Sequence, residues 1–145
     1  MRWMALDHGT KRIGVAFSDE LEILATPFEV LANDGEAALA RLARLAREED
    51  AQGLLVGLPK HKDGAESATA PLARAFGEAL AGRTGLPLRF ADEHLSSAAA
   101  DQLLAARGVK PKDRKARLDA AAAAVILDAF LAERRARRIP ADRPD

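Results

Sequence analysis

The sequence predicts an α/β protein: a mixed sheet built from a three-stranded meander followed by parallel strands, with helices on both faces. Three observations predict it. The chain opens with two apolar runs around a glycine turn, Trp3-Met4-Ala5-Leu6-Asp7 and Arg12-Ile13-Gly14-Val15-Ala16-Phe17-Ser18. Gly53-Leu54-Leu55-Val56-Gly57-Leu58 is a continuous apolar run of strand length, as suits a parallel strand covered on both faces. From there helix-like and strand-like segments alternate, the pattern of crossover connections.

Met1 to Asp7 and Arg12 to Ser18 are the first two strands, joined through Gly9. Ile23 to Leu31 is a weaker strand with Thr26-Pro27 inside it, which predicts an edge position or a strand that begins only at Phe28. Asn33-Asp34-Gly35 is a helix-start signal, and Leu39, Leu42, Ala43, Leu45 and Ala46 form one apolar stripe on a helix ending near Asp50. After the central strand, Pro59 to Gly64 is a loop by composition, and a helix follows from about Ser67 to Arg83. Gly85-Leu86-Pro87 turns into the strand Leu88 to Ala91, which ends at Asp92-Glu93. Ser96-Ser97 caps a helix to about Arg107, and a last helix spans about Ala116 to Arg138. The chain of 145 residues therefore reads as one domain over residues 1–138, with a frayed tail at 139–145 that contains Pro140 and Pro144.

Charge is balanced, 22 basic against 22 acidic side chains, so net charge says nothing for nucleic acid; its distribution does. Arg107, Lys110, Lys112, Arg114, Lys115 and Arg117 cluster in one segment. That segment is either a solvated loop or a track for a phosphate backbone. Aromatic residues make up only 4% of the chain, which leaves little material for stacking bases and favours recognition by shape. The absence of cysteine excludes a disulfide scaffold and thiolate metal sites. No apolar run is long enough to span a bilayer and no signal-peptide pattern opens the chain, so a cytoplasmic protein is expected. The alanine and arginine bias fits either genome composition or heat tolerance.

In sheets of this kind ligands bind outside the carboxyl ends of the parallel strands. Asp7, Leu58-Pro59 and Asp92-Glu93 all fall at such ends. Asp7 precedes a glycine turn that lets backbone approach a ligand, with Lys11 and Arg12 on the return strand; a polar hairpin with a capping Asp is the plain alternative. On the last helix Asp119 shares a face with Ala123, Ile126 and Phe130, where an unpaired carboxylate is costly. A first-turn acid favoured by the helix dipole would also account for it. Asp128 lies opposite and is expected on the surface. Glu93 alone is as readily a salt-bridge partner. Three acids converging on one edge repel one another, and a bound Mg²⁺ or Mn²⁺ relieves that repulsion while keeping positions open for water and phosphate. His8, His61 and His94 match no zinc spacing; His8 and His94 are placed as phosphate or substrate contacts, or else as surface residues.

Four segments, Asp7-His8-Gly9-Thr10-Lys11-Arg12-Ile13-Gly14-Val15-Ala16, Val56-Gly57-Leu58-Pro59 with Asp63-Gly64, Asp92-Glu93-His94-Leu95-Ser96-Ser97, and Leu118-Asp119-Ala120-Ala121-Ala122-Ala123, together resemble the YqgF (RuvX) family. These are bacterial proteins of the RNase H-like, Holliday-junction-resolvase-like superfamily, regarded as nucleases that process the 5′ end of pre-16S ribosomal RNA. The resemblance spans nearly the whole chain. It implies an RNase H-like fold and a metal-dependent phosphodiesterase, with Asp7, Glu93 and Asp119 as the catalytic, metal-binding acids and Lys11 and Arg12 as substrate contacts. His94 stands where the family usually has Arg, and Lys60-His61-Lys62 where it usually has Asn and an apolar residue. Lys110, Lys112, Arg114 and Lys115 would carry the nucleic-acid backbone toward the acids. The expected partner is nucleic acid, either precursor rRNA or structured, branched DNA, with no membrane and with the protein a monomer or weak homodimer. Two other classes compete. Actin-like and sugar-kinase folds share the Asp-x-Gly-Thr hairpin as a nucleotide site, but they close two such domains on the nucleotide. A non-catalytic RNA-binding or scaffold protein would keep the fold without the chemistry.

Overall fold

The computed structural model describes residues 1–59, 65, 67–93 and 97–141. Its elements in chain order are β1 (Trp3–His8), β2 (Arg12–Ser18), β3 (Ala25–Ala32), α1 (Glu36–Glu48), β4 (Gly53–Pro59), α2 (Ala70–Thr84), β5 (Leu88–Glu93), α3 (Ser97–Ala106) and α4 (Pro111–Ala141). The five strands form one sheet in the order β3-β2-β1-β4-β5. β1, β2 and β3 are antiparallel neighbours, whereas β4 runs parallel to β1 and β5 parallel to β4. This is the mixed sheet, helices on both faces, that the alternation of segments predicts.

Successive side chains of a strand point to opposite faces, and the sequence fills both. Met4 and Leu6, Ile13 and Val15, Leu54 and Val56 face α1 and α2, meeting Leu42, Leu45, Phe76 and Leu80. The intervening Trp3, Ala5, Ala16 and Leu55 face α4, meeting Ala123, Ala124, Leu127 and Leu131. The second face is lined largely by alanine, so α4 lies close on the sheet. α3 packs on α4 through Ala100, Leu104 and Ala121.

β3 is an edge strand, as Pro27 requires, and it does include Thr26-Pro27. Its register against β2 shifts between Val15 and Ala16, which pair with Glu29 and Pro27; the bulge accommodates the proline. α2 starts at Ala70, later than the expected Ser67, with Pro71 in its first turn. The larger correction is α4. It starts at Pro111 rather than Ala116, so Lys112, Arg114, Lys115 and Arg117 stand on two exposed helical turns and not on a loop. It also runs on to Ala141, past the expected end at Arg138; residues 142–145 lie outside the described residues.

The turn between β2 and β3 is fixed by charge. Asp19 accepts from the backbone N–H groups of Leu21, Ile23 and Leu24. Glu22, in the left-handed region at φ 59°, turns its side chain inward. There it accepts from Arg134 at 2.5 Å and from the N-terminal amine at 3.1 Å. Burial alone would raise its pKa, but the two cations outweigh it and hold the carboxyl down at about 2. Since the folded value lies below the ordinary 4.5, the stabilisation is present above pH 4.5 and is lost as pH falls through 2. We predict that Glu22→Gln destabilises the fold by about 2 kcal/mol at pH 7. In urea unfolding series, that penalty shrinks steadily as the pH is lowered through this window.

Candidate active site

β1 places Asp7 one residue before its end, and strand alternation puts its side chain on the α4 face, in line with Trp3 and Ala5. The antiparallel register sets Gly14 of β2 directly opposite Asp7. A Cβ built at Gly14 would sit 1.9 Å from the backbone oxygen of Asp119. The helix backbone therefore rests on β2 where a side chain would otherwise be, and this close approach brings Asp119 beside Asp7. On the other side, β4 and β5 pair in parallel with Pro59 opposite Glu93. Gly57 of β4 makes room for Ile126 of α4, since a Cβ there would be 2.8 Å from Ile126 Cδ1 and in ordinary contact with Glu93 Oε2 at 3.4 Å. Two glycines inside strands thus make two close approaches of α4 possible. An isolated glycine within a strand pattern is the signal that would have found them.

The three carboxyls interact. Asp7 and Glu93 share a hydrogen bond, and the charge of Asp119 acts on both. Burial, followed by the neighbouring charge of Glu93, pushes the Asp7 carboxyl up to about 8. Glu93 is also raised, chiefly by burial, although accepting from Asp7 works against the rise. Both shifts have one sense: without a cation beside them, the two carboxyls favour keeping a proton between them. Asp119 is compensated differently, because its Oδ2 accepts from Arg12 Nε at 2.7 Å. With the side chains so placed, no group of three His, Asp or Glu among the described residues is arranged to hold a metal ion.

Asp119 lies in the third turn of a helix that begins at Pro111, so the helix dipole does not account for it. Asp113 is the first-turn acid. Asp128, expected on the surface, is half-buried and accepts from the Ala25 N–H at 3.0 Å, anchoring the start of β3. Its pKa is raised, by burial first. His8 is no surface residue either. It packs against Phe76 with ring centroids 4.8 Å apart, and its Nε2 lies 3.2 Å from Asn33 Nδ2. Burial lowers its pKa. Asn33, which the sequence analysis used only as a helix signal, also donates to the Gly9 carbonyl at 2.8 Å and fixes the turn after Asp7.

Lys11, Lys110, Lys112 and Lys115 are exposed. Arg114 is engaged at the α3–α4 corner, donating to the Val109 carbonyl and pairing with Asp101. His94, with Leu95 and Ser96, and the segment Lys60 to Gly64 lie outside the described residues. Strand alternation sends Asp92 to the face opposite Glu93.

A meander leading into parallel strands, with acids gathered under a final helix, is the RNase H-like architecture of the junction resolvases. The Thermus thermophilus RuvC structure covers 92% of this chain and 96% of its own at a TM-score of 0.58 and 16% identity. A Fowlpox virus resolvase, solved with substrate Holliday junction DNA, covers 92% and 98% at a TM-score of 0.61 and 11% identity. The family model RuvX, described as Holliday junction resolvase, matches residues 1–133, and the chain belongs to that family. A relative from Symbiobacterium thermophilum is 44% identical over 138 residues, 94% of this chain and 96% of the relative. One from Anaeromyxobacter sp. is 42% identical over 137 residues, 94% of this chain and all of the relative. Both carry the name "Putative pre-16S rRNA nuclease".

Two outcomes follow from this geometry. Because the folded pKa of Asp7 lies above the ordinary 3.8, the contribution of this group to the stability of the metal-free protein is complete below that pH and is lost as pH rises through about 8. Chemical unfolding across pH 4 to 8 will show the decline, and Asp7→Asn will flatten it. Gly14→Ala, which drives a methyl into helix backbone, will cost on the order of 3 kcal/mol and lower the melting temperature accordingly.

Proposed function

We propose that this protein is a divalent-metal-dependent endonuclease that hydrolyses phosphodiester bonds in the maturation of the 5′ end of pre-16S rRNA. The observation that carries the proposal is the meeting of Asp7, Glu93 and Asp119 from three separate elements. Two half-buried acids in contact form a site short of positive charge, and a divalent cation would supply what it lacks. The donors are all carboxylate oxygens and the chain has no cysteine, which suits a hard ion, Mg²⁺ or Mn²⁺. Asp7, Glu93 and Asp119 would hold it. When bound, such an ion supplies activation of a water and stabilisation of the leaving oxygen of a phosphodiester.

The chain's own residues do the rest. Asp7 and Glu93 would hold the ion as carboxylates, any proton between them being released to solvent. Lys11 and Arg12, at the mouth of the hairpin, meet the phosphates that flank the one to be cut. Lys110, Lys112 and Lys115 hold the backbone further along without reading sequence. The relatives' names favour ribosomal RNA. The fold's likeness to a resolvase crystallised on junction DNA keeps branched DNA as the second substrate to test.

Cleavage assays with Mg²⁺ or Mn²⁺ on precursor rRNA and on a four-way junction test the proposal. Asp7→Asn will lower cleavage roughly a thousandfold while the protein still folds. A metal-loaded wild type that cuts neither substrate would overturn it. Lys110→Glu with Lys112→Glu will weaken binding and reduce the slope of log affinity against log salt by about 1.5 to 2. An unchanged slope would remove this segment from the interface.

A further inference from the structure

Arg12 engages Asp119, and the details of that contact are informative. The contact uses Nε alone, at 2.7 Å from Asp119 Oδ2. Among the described residues Asp119 is the sole hydrogen-bond or ion-pair partner of the Arg12 side chain. That side chain is 64% exposed, so the remaining N–H groups of its guanidinium stay open to a further anion. Asp119, in contrast, is tied through one of its two oxygens, and with its side chain so held it completes no metal-holding group of three acids among the described residues.

We propose that Arg12 is a substrate-released latch on Asp119. In the free protein the guanidinium keeps this carboxylate off the ion site. A nucleic-acid phosphate that captures the guanidinium releases it, so nucleic acid and divalent ion bind with positive linkage. The proposal rests on the metal-nuclease reading above and adds to it the order in which the site is completed. Energetically the exchange is easy. An exposed ion pair is weak, whereas the planar guanidinium fork matches two phosphate oxygens at once. The ion then gains a third carboxylate at the moment that a phosphate arrives to be cut. Without nucleic acid the site is left with two acids and binds its ion poorly. Linkage of this kind is reciprocal: the ion must tighten nucleic-acid binding by the same factor.

Mn²⁺ binding to the full-length protein, followed by the electron paramagnetic resonance signal of the free ion, tests the latch without any reading of activity. Without nucleic acid, Arg12→Gln will bind Mn²⁺ about fivefold more tightly than wild type, the fold-change an exposed ion pair is worth. Arg12→Lys keeps the charge but loses the Nε contact, and it will show part of the gain. In an Asp119→Asn background the gain from Arg12→Gln will disappear. Persistence of the full gain there would mean only a long-range charge effect and would overturn the latch, as would an unchanged affinity in Arg12→Gln. A short RNA duplex, checked intact on a gel after the titration, will tighten Mn²⁺ binding in wild type and will do so about fivefold less in Arg12→Gln. Equal tightening in both would overturn the latch. If no form binds Mn²⁺ at all, the metal-nuclease reading itself falls, a result distinct from failure of the latch alone.

Discussion

The site depends on one close approach, the backbone of α4 lying on Gly14 of β2. A residue with any side chain at this position would lift the helix by the width of that side chain, and Asp119 would leave the neighbourhood of Asp7. The antiparallel register makes the constraint specific, since the residue opposite Gly14 is Asp7 itself. Backbone contact at this level is supported below by Ala5, Ala16, Ala123 and Ala124, which keep the α4 face of the sheet shallow. What reads in the sequence as an alanine bias is, along α4, the condition for bringing the helix close enough to the sheet for Asp119 to stand beside Asp7.

Drawing three carboxyls together is unfavourable, and the protein offsets the cost in two different ways. Asp7 and Glu93 share a proton, and Asp119 takes a guanidinium. Under the metal-nuclease proposal a divalent ion would do both tasks at once. The buried pair at Glu22 is the contrasting case. There Arg134 and the N-terminal amine are permanent partners, the carboxyl is held well below its ordinary range, and the result is a fixed turn. Partner identity separates a structural acid from one poised for chemistry.

Much of this was legible in the sequence because it followed from periods and ends. Asp7 and Glu93 stand at strand exits, and Asp119 interrupts an apolar helix face. What escaped was set by tertiary context. The start of α4 was missed because Lys112, Asp113, Arg114 and Lys115 carry no apolar stripe; Pro111 and the first-turn Asp113 were the available signals. Asp128 was misplaced because a helical wheel presumes one buried side. α4 crosses β1, β2 and β3, so a position opposite Asp119 meets the edge strand and not water. The apolar run ends the first strand at Asp7 in the sequence, yet β1 extends through His8 and alternation directs it onto Phe76.

The early start of α4 has a consequence for how a nucleic acid meets the acids. Lys112 and Asp119 belong to one continuous helix, seven residues apart in sequence, which at 1.5 Å per residue is roughly 10 Å along the axis. Backbone phosphates of one strand advance about 3.4 Å per nucleotide along a duplex. Under the proposed nuclease reading, a lysine on the first turn that gripped a phosphate would stand about three such steps from Asp119, held there by helix backbone rather than by a loop. Arg114, tied to Val109 and Asp101, holds the corner from which this helix projects. Under that reading, sequence-tolerant binding and a defined cutting position would be compatible, because the spacing is set by helix backbone and reads no base.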